Sequence, residues 1–211
     1  MTRFKKIVTL TLAGILAAGT ALSTVSCEKK TYTVGICQLV THDALDAATN
    51  GFKQALIDKL GEENVTFDYQ NAANDSPACT TIVNSFVSKN VDLIMANATP
   101  ALQAAASATT AIPILGTSIT EYGVALSLEN FNGTVGGNIS GTSDLAPLTE
   151  QAQMIIDLFP EAQTVGMLYS SAEANSAYQV QVVTEYRQKS WVFRPLRRST
   201  RDSVPSIPAS F

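Results

Sequence analysis

The apolar positions of residues 32–186 follow two periods that take turns along the chain. Tyr32–Gln38 (YTVGICQ) is a short run of β-branched and apolar residues and reads as a strand. In Asp43–Leu60, Ala44, Ala47, Ala48, Phe52, Ala55, Leu56 and Leu60 recur at spacings of three and four, and Gly61 is a natural stop, which predicts a helix. Residues 65–69 read as a second strand. Residues 75–89 read as a second helix, with Asp75 or Ser76 as N-cap and Pro77 in the first turn, where proline is tolerated. Residues 91–96 form a near-continuous apolar strand, Thr99-Pro100 opens an alanine-rich helix to about Thr110, and residues 112–115 form a fourth strand. Strands that are apolar throughout and alternate with helices predict an α/β fold whose parallel sheet is covered on both faces.

Residues 122–143 break the rhythm. They are rich in glycine and asparagine and read as an irregular crossing between two lobes. The alternation then resumes: a helix over 145–159 ended by Pro160, a strand over Thr164–Tyr169, and a helix over 175–186 with Ala177, Val180, Val183 and Thr184 on one face. The expected organisation is a leader (1–26), a linker (27–31), a first α/β lobe (32–125), a crossing (126–144), a partial second α/β lobe (145–186) and a tail (187–211).

The tail differs in composition from everything before it. Residues 1–186 carry eight Lys/Arg against seventeen Asp/Glu, whereas residues 187–211 carry six against one. Trp191, Pro195, Pro205 and Pro208 crowd the same stretch, and no helical or strand periodicity is expected beyond about Ser190. One reading is an out-of-frame or disordered end. The other is a basic tail for anionic lipid.

The other end reads as an address. Arg3, Lys5 and Lys6 precede an apolar run over residues 7–22, then Ser23-Thr24-Val25-Ser26 and Cys27. A basic start, an apolar stretch and a small-residue cleavage site describe a secretory signal. A cysteine directly after that site resembles a bacterial lipobox, whose thiol is acylated. The pattern prefers Leu where this chain has Thr24. Ordinary secretion with Cys27 as a spare thiol is the alternative. The apolar run is short for a membrane-spanning helix of ~20 residues, so the expected product is extracytoplasmic and lipid-anchored through Cys27.

Hydrophobic content of 45% and charged content of 15% describe a globular chain, and the net charge of −4 argues against nucleic acid as a partner. No Cys/His spacing fits zinc, and His42 is the single histidine, so no metal or cofactor is expected. Cys37 and Cys79 read either as a disulfide or as two buried small hydrophobes.

In an open parallel sheet, ligands bind outside the C-terminal ends of the strands. The loops there hold neutral hydrogen-bonding side chains and few bases or nucleophiles, which suits holding a polar small molecule. Candidate ligand contacts are Thr41, Asn97, Thr99, Ser118, Thr120, Asp144, Ser171, Asn175 and Ser176. Helix starts at 97–100 and 171–176 offer N–H groups to an anion such as a carboxylate, and Asp144 offers a charge to an ammonium. Any one of these Asn, Ser or Thr residues also reads as an ordinary N-cap, so the reading rests on their convergence at one sheet edge. There is no Gly-x-Ser-x-Gly elbow and no Gly-x-x-x-x-Gly-Lys loop, and the glycine-rich 133–141 segment does not follow a strand as a dinucleotide fingerprint should. His42, beside Asp43 and Asp46, reads as a surface histidine at a helix start.

Val34-Gly35-Ile36, Thr41-His42-Asp43-Ala44-Leu45-Asp46, Asn97-Ala98-Thr99-Pro100-Ala101, Ile112-Pro113-Ile114, Gly137-Asn138-Ile139-Ser140-Gly141-Thr142-Ser143-Asp144, Thr164-Val165-Gly166-Met167-Leu168-Tyr169 and Ser171-Ala172-Glu173-Ala174-Asn175-Ser176 resemble the bacterial ABC-transporter substrate-binding lipoproteins of the type associated with aromatic amino acids such as tryptophan. The resemblance spans about Lys30 to Tyr186. It implies a two-lobed type I periplasmic-binding-protein-like fold, its second lobe incomplete here, with a ligand cleft between lobes. It implies delivery of a small-molecule ligand to an ABC permease and ATPase complex, and it places Thr99, Asp144, Ser171, Asn175 and Ser176 against the ligand. A monomer is expected. The rival readings are a ligand-sensing extracytoplasmic domain of a signalling receptor, a lipid-anchored enzyme, which lacks a nucleophile, and a non-functional truncated fragment.

Overall fold

The alternation of strands and helices is present in the structure, a computed structural model that describes residues 30–187 and 192–197. The expected leader, Cys27 with its expected anchor, and the remainder of the tail lie outside the described residues. The first sheet is assembled from β1 (Tyr32–Gln38), β2 (Val65–Asn71), β3 (Leu93–Asn97), β4 (Ile114–Ile119) and β5 (Ile139–Ser143). All its pairings are parallel and the spatial order is β2-β1-β3-β4-β5. The connecting helices are α1 (Asp43–Leu60), α2 (Ser76–Ser88), α3 (Thr99–Ala108) and the short α4 (Tyr122–Ala125).

Alternation along β1 divides the core between two faces. Val34 and Ile36 pack with Val65, Met95 and the α1 residues Phe52, Leu56, Ile57 and Leu60. Cys37 belongs to the larger cluster on the opposite face, with Cys79, Val83 and Phe86 of α2 and Ala101, Leu102 and Ala105 of α3. Gly35 opens room on that second face: a Cβ there would stand 2.6 Å from the Phe86 ring. Because β1 is a central strand with helices packed on both faces, Val34–Gln38 is buried, as is Leu39 after it.

The structure corrects the reading of residues 122–143 as crossing only. Ile139–Ser143 is a fifth strand of the first sheet, in register with β4 (Ile114↔Ile139, Leu115↔Ser140, Gly116↔Gly141). A side chain fastens its entry: Asn138 Nδ2 donates to Ile112 O at 2.7 Å and Thr109 O at 3.1 Å, while Ile114 N donates to Asn138 O at 2.8 Å. Gly136 (φ 78°) and Gly137 (φ 61°) make the preceding turn in the left-handed region, where glycine is the least strained residue.

The second α/β unit holds α5 (Leu148–Leu158), β6 (Thr164–Tyr169), α6 (Ala174–Arg187) and β7 (Val192–Arg197). Pro147 is the N-cap of α5, so that helix begins later than its apolar pattern suggests. The absence of periodicity expected beyond Ser190 is also corrected. Val192–Arg197 pairs in parallel with β6 from Thr164↔Val192 to Tyr169↔Arg197. A helix leading into a parallel strand is the ordinary βαβ continuation, and Val192-Phe193 carries the β-propensity that the surrounding arginines and prolines obscure.

Candidate functional site

The C-terminal ends of β1, β3, β4 and β5 form one edge of the first sheet, and most of the sequence-derived candidates stand along it. At its centre is a buried polar network. Gln38 and Asn97, the last residues of β1 and β3, lie in register and are both 0% exposed. Thr49, from the middle of α1, donates through Oγ1 to Gln38 Oε1 at 2.7 Å and accepts from Asn97 Nδ2 at 3.0 Å. Asn97 Nδ2 also donates to Leu45 O at 2.8 Å, and Gln38 Nε2 donates to Val40 O at 2.8 Å and Asp46 Oδ1 at 2.5 Å. The network clamps the first half of α1 to the sheet. Asn97 Oδ1 is buried without a partner, a costly state for an amide oxygen.

Thr41, in the β1–α1 loop, is exposed, and its Oγ1 accepts from Asn71 Nδ2 at 3.1 Å. His42 is the N-cap of α1; its Nδ1 accepts from Ala44 N at 3.2 Å, which agrees with the surface-histidine reading. Thr99 begins α3 and is 2% exposed, so what α3 presents at the edge is its backbone start. The residue before it, Ala98, has φ 91° and ψ 158°, a conformation nearly confined to glycine. Its N–H donates to Thr117 O at 3.0 Å, which holds the β3–α3 junction against β4.

Ser118, Thr120 and Asp144 are brought together where β4 and β5 end. Ser118 has φ 54° at a register shift between Gly116 and Ile119. Ser143 Oγ donates to Thr120 O at 2.9 Å, and Asp144 N donates to Ile119 O at 3.0 Å, leaving the Asp144 side chain exposed. Tyr122 lies beneath: its hydroxyl donates to Gly116 O at 3.0 Å and Thr142 O at 3.3 Å and joins the two strands. Glycine at 116 and 141 makes room for it, since a Cβ at Gly141 would collide with Gly116 O and the Tyr122 hydroxyl. Burial, and then the Asp144 carboxylate, push the Tyr122 hydroxyl up to about 12.

Ser171, Asn175 and Ser176 occupy the turn after β6 and the first turn of α6, in the second unit. Glu173 N donates to Ser170 O at 3.3 Å and Ala177 N to Glu173 O at 3.1 Å. Asn175 Oδ1 is buried and unpartnered. Two candidate residues, one at each helix start, thus carry an unsatisfied amide oxygen. A cavity of about 290 Å³ lies between Ala48 and Phe52 of α1 and Leu115, Thr117, Ser140 and Thr142 of the sheet. A cavity of about 560 Å³ lies over α3, α4 and the turn before β5. None of the nine candidates lines either. Among the described residues, no group of His, Cys, Asp and Glu could hold a metal ion, and no helix is long and apolar enough to cross a membrane.

Thr49 and Tyr122 were not among the sequence candidates. Thr49 had a readable signal, a polar residue within the apolar stripe of α1. Tyr122 had none beyond its two distant glycine partners.

Comparison with known proteins adds the following. Residues 33–192 match the family described as ABC transporter substrate binding protein. The tyrosine-binding protein of Clostridioides difficile (strain R20291) is 39% identical over 207 residues, covering 90% of this chain and 59% of that protein. Two solved structures share the fold at a TM-score of 0.73. The ABC domain from Streptococcus pneumoniae in complex with L-Trp is 32% identical, over 80% of this chain and 58% of that one. A conserved domain protein from Vibrio cholerae is 31% identical, with the same coverage. A ligand-free, open substrate-binding protein with adhesive properties from Clostridium difficile is 38% identical at a TM-score of 0.59, over 81% of this chain and 58% of that one. The chain thus spans 58–59% of the length of these relatives.

Proposed function

We propose, from the premise that this chain belongs to the ABC transporter substrate-binding protein family, that it captures an amino acid, with an aromatic side chain as the leading class, at the C-terminal edge of its first sheet. The family is one of binding proteins, and the relatives are substrate-binding proteins rather than enzymes. The observation that carries the reading is the convergence of Thr41, Asn97, Thr99, Ser118, Thr120 and Asp144 along one strand edge beside the start of α3. The ligands named for the relatives, tyrosine and L-Trp, support the class.

In this reading Asp144 pairs with the ligand ammonium. The first-turn N–H groups of α3, that of Thr99 among them, take the carboxylate, as helix N-termini favour anions. Ser171, Asn175 and Ser176 complete the site from the second unit, and the two unpartnered asparagine oxygens find donors on the ligand or on water. Delivery to a permease and ATPase, an extracytoplasmic location, a lipid anchor at Cys27 and a monomeric state belong to the same proposal.

Isothermal titration calorimetry with Trp, Tyr and Phe tests it. Losing a hydrogen bond to a charged group costs about 1.5–3 kcal/mol, which is about tenfold to a hundredfold in Kd. Asp144→Ala is expected to weaken binding by that factor, with an unchanged circular dichroism spectrum, whereas Thr99→Ala, which keeps the backbone N–H groups of α3, is not. Unaltered affinity in Asp144→Ala removes that residue from the site. Binding of some other small solute, and of no aromatic amino acid, discards the ligand class.

A further inference from the structure

We propose that Cys37 and Cys79 are a cross-linking site, closed to an intramolecular disulfide that fastens β1 to α2. The geometry comes from two neighbouring contacts on one sheet face. α2 turns Cys79, Ile82, Val83 and Phe86 inward, and all four are buried. Gly35 of β1 lies under the Phe86 ring. The next β1 residue on that face, two positions along, is Cys37, and it meets Cys79, one residue of the inward α2 stripe nearer the helix start. Both cysteines are 0% exposed and sit in the same core cluster. Both are free thiols, and each is the other's leading side-chain partner. The Cys79 thiol, and then burial, hold the Cys37 thiol well above its ordinary range.

The chemistry balances with an external disulfide as oxidant. A thiolate of one cysteine attacks the external disulfide and expels its first half as a thiol; the thiolate of the second then attacks the protein sulfur of the resulting mixed disulfide and expels the other half. Two S–H bonds break and one S–S bond forms in the chain. The two electrons and two protons leave with the oxidant as two thiols. Because both groups are buried, exchange takes place before α2 settles on the sheet or during an opening of that helix. An extracytoplasmic location, part of the function proposed above, supplies the oxidising surroundings. Acylation of Cys27 would leave these two as an even pair.

The test uses the full chain carrying Cys27→Ala, refolded in oxidised and reduced glutathione and then alkylated in denaturant. The expected result is an intact mass lower by two hydrogens, no alkylated thiol, and a proteolytic fragment joining the peptides of Cys37 and Cys79. Reduction then lowers the thermal midpoint by several degrees, whereas Cys79→Ala has a midpoint that reductant does not move. Two alkylated thiols at unchanged mass, or a disulfide joining separate chains, overturns the proposal. Ligand calorimetry on the same sample reads the binding proposal independently, so failure of one is not failure of the other.

Discussion

Replacing Thr49 by Val tests whether the buried network at the sheet edge holds α1 in place. The two side chains have nearly the same shape, and Thr49 is 3% exposed, so the change swaps a buried hydroxyl for a methyl. Gln38 Oε1 loses its donor at 2.7 Å and keeps only Asn97 Nδ2 at 3.5 Å, the outer limit of a hydrogen bond. Asn97 Nδ2 loses one acceptor but retains Leu45 O at 2.8 Å. A buried acceptor left unsatisfied costs about 1–3 kcal/mol. The added buried methyl returns up to ~0.8 kcal/mol. The expected net loss is therefore about 0.2–2 kcal/mol, read as a lower urea midpoint at an unchanged slope. Thr66→Val, at an exposed position of β2, is the control and should stay within about 0.5 kcal/mol. Groups sharing one network couple by about 0.5–3 kcal/mol, so Thr49→Val combined with Asn97→Ala should cost less than the two single changes summed. A Thr49→Val shift no larger than that of Thr66→Val, together with strict additivity, would refute the clamp.

Gly141→Ala forces a Cβ against Gly116 O and the Tyr122 hydroxyl; it should cost about 1–3 kcal/mol as overpacking, and Tyr122→Phe in the same chain should recover part of that in urea melts. The Tyr122 hydroxyl is raised from 10 to about 12 by burial and then by Asp144, so its contribution is complete below pH 10 and is lost as pH rises towards 12; pH-dependent melts of Tyr122→Phe should fall less steeply in that window. Asp68 is held below its ordinary 3.8 chiefly by the Lys89 ammonium at 2.6 Å. That stability is present above pH 3.8 and lost as pH falls through the lowered value; because Lys89 is 54% exposed, Lys89→Gln should remove less than about 1 kcal/mol at neutral pH. Labelled palmitate should enter the wild-type chain and not Cys27→Ala, and equal labelling of both would end the anchor proposal.

Where an element's own residues carry the pattern, reading the chain was enough. Tyr32–Gln38, Asp43–Leu60 and Thr164–Tyr169 have the bounds that their periodicity and punctuation suggest. The strand-end rule likewise places Asn97, Thr99, Ser118 and Thr120 on one edge, where the structure has them. What escaped was set by distant partners. β5 is short and glycine-bearing, and it is a strand because Asn138 grips carbonyls more than twenty residues earlier and the Tyr122 hydroxyl bridges it to β4. β7 was hidden by composition, since arginine and proline counts describe a stretch and not the pairing offered by β6. The roles of Gln38 and Thr49 depend on α1 lying over β1 and β3, which no local window contains.

The two sheets differ in what surrounds them, and that difference sets a time scale for each. β1 is walled by strands on both sides and helices on both faces, whereas β6 has exposed residues at every second position, with Leu168 78% exposed. Amide protons in β1 and β3 should therefore exchange only through global unfolding, and those of β6 and α6 through small local openings. A protease would find its first cuts in the second unit while the first stays whole. In the proposed capture, a ligand meets one rigid jaw already shaped by its own core and one loose jaw that contact must order.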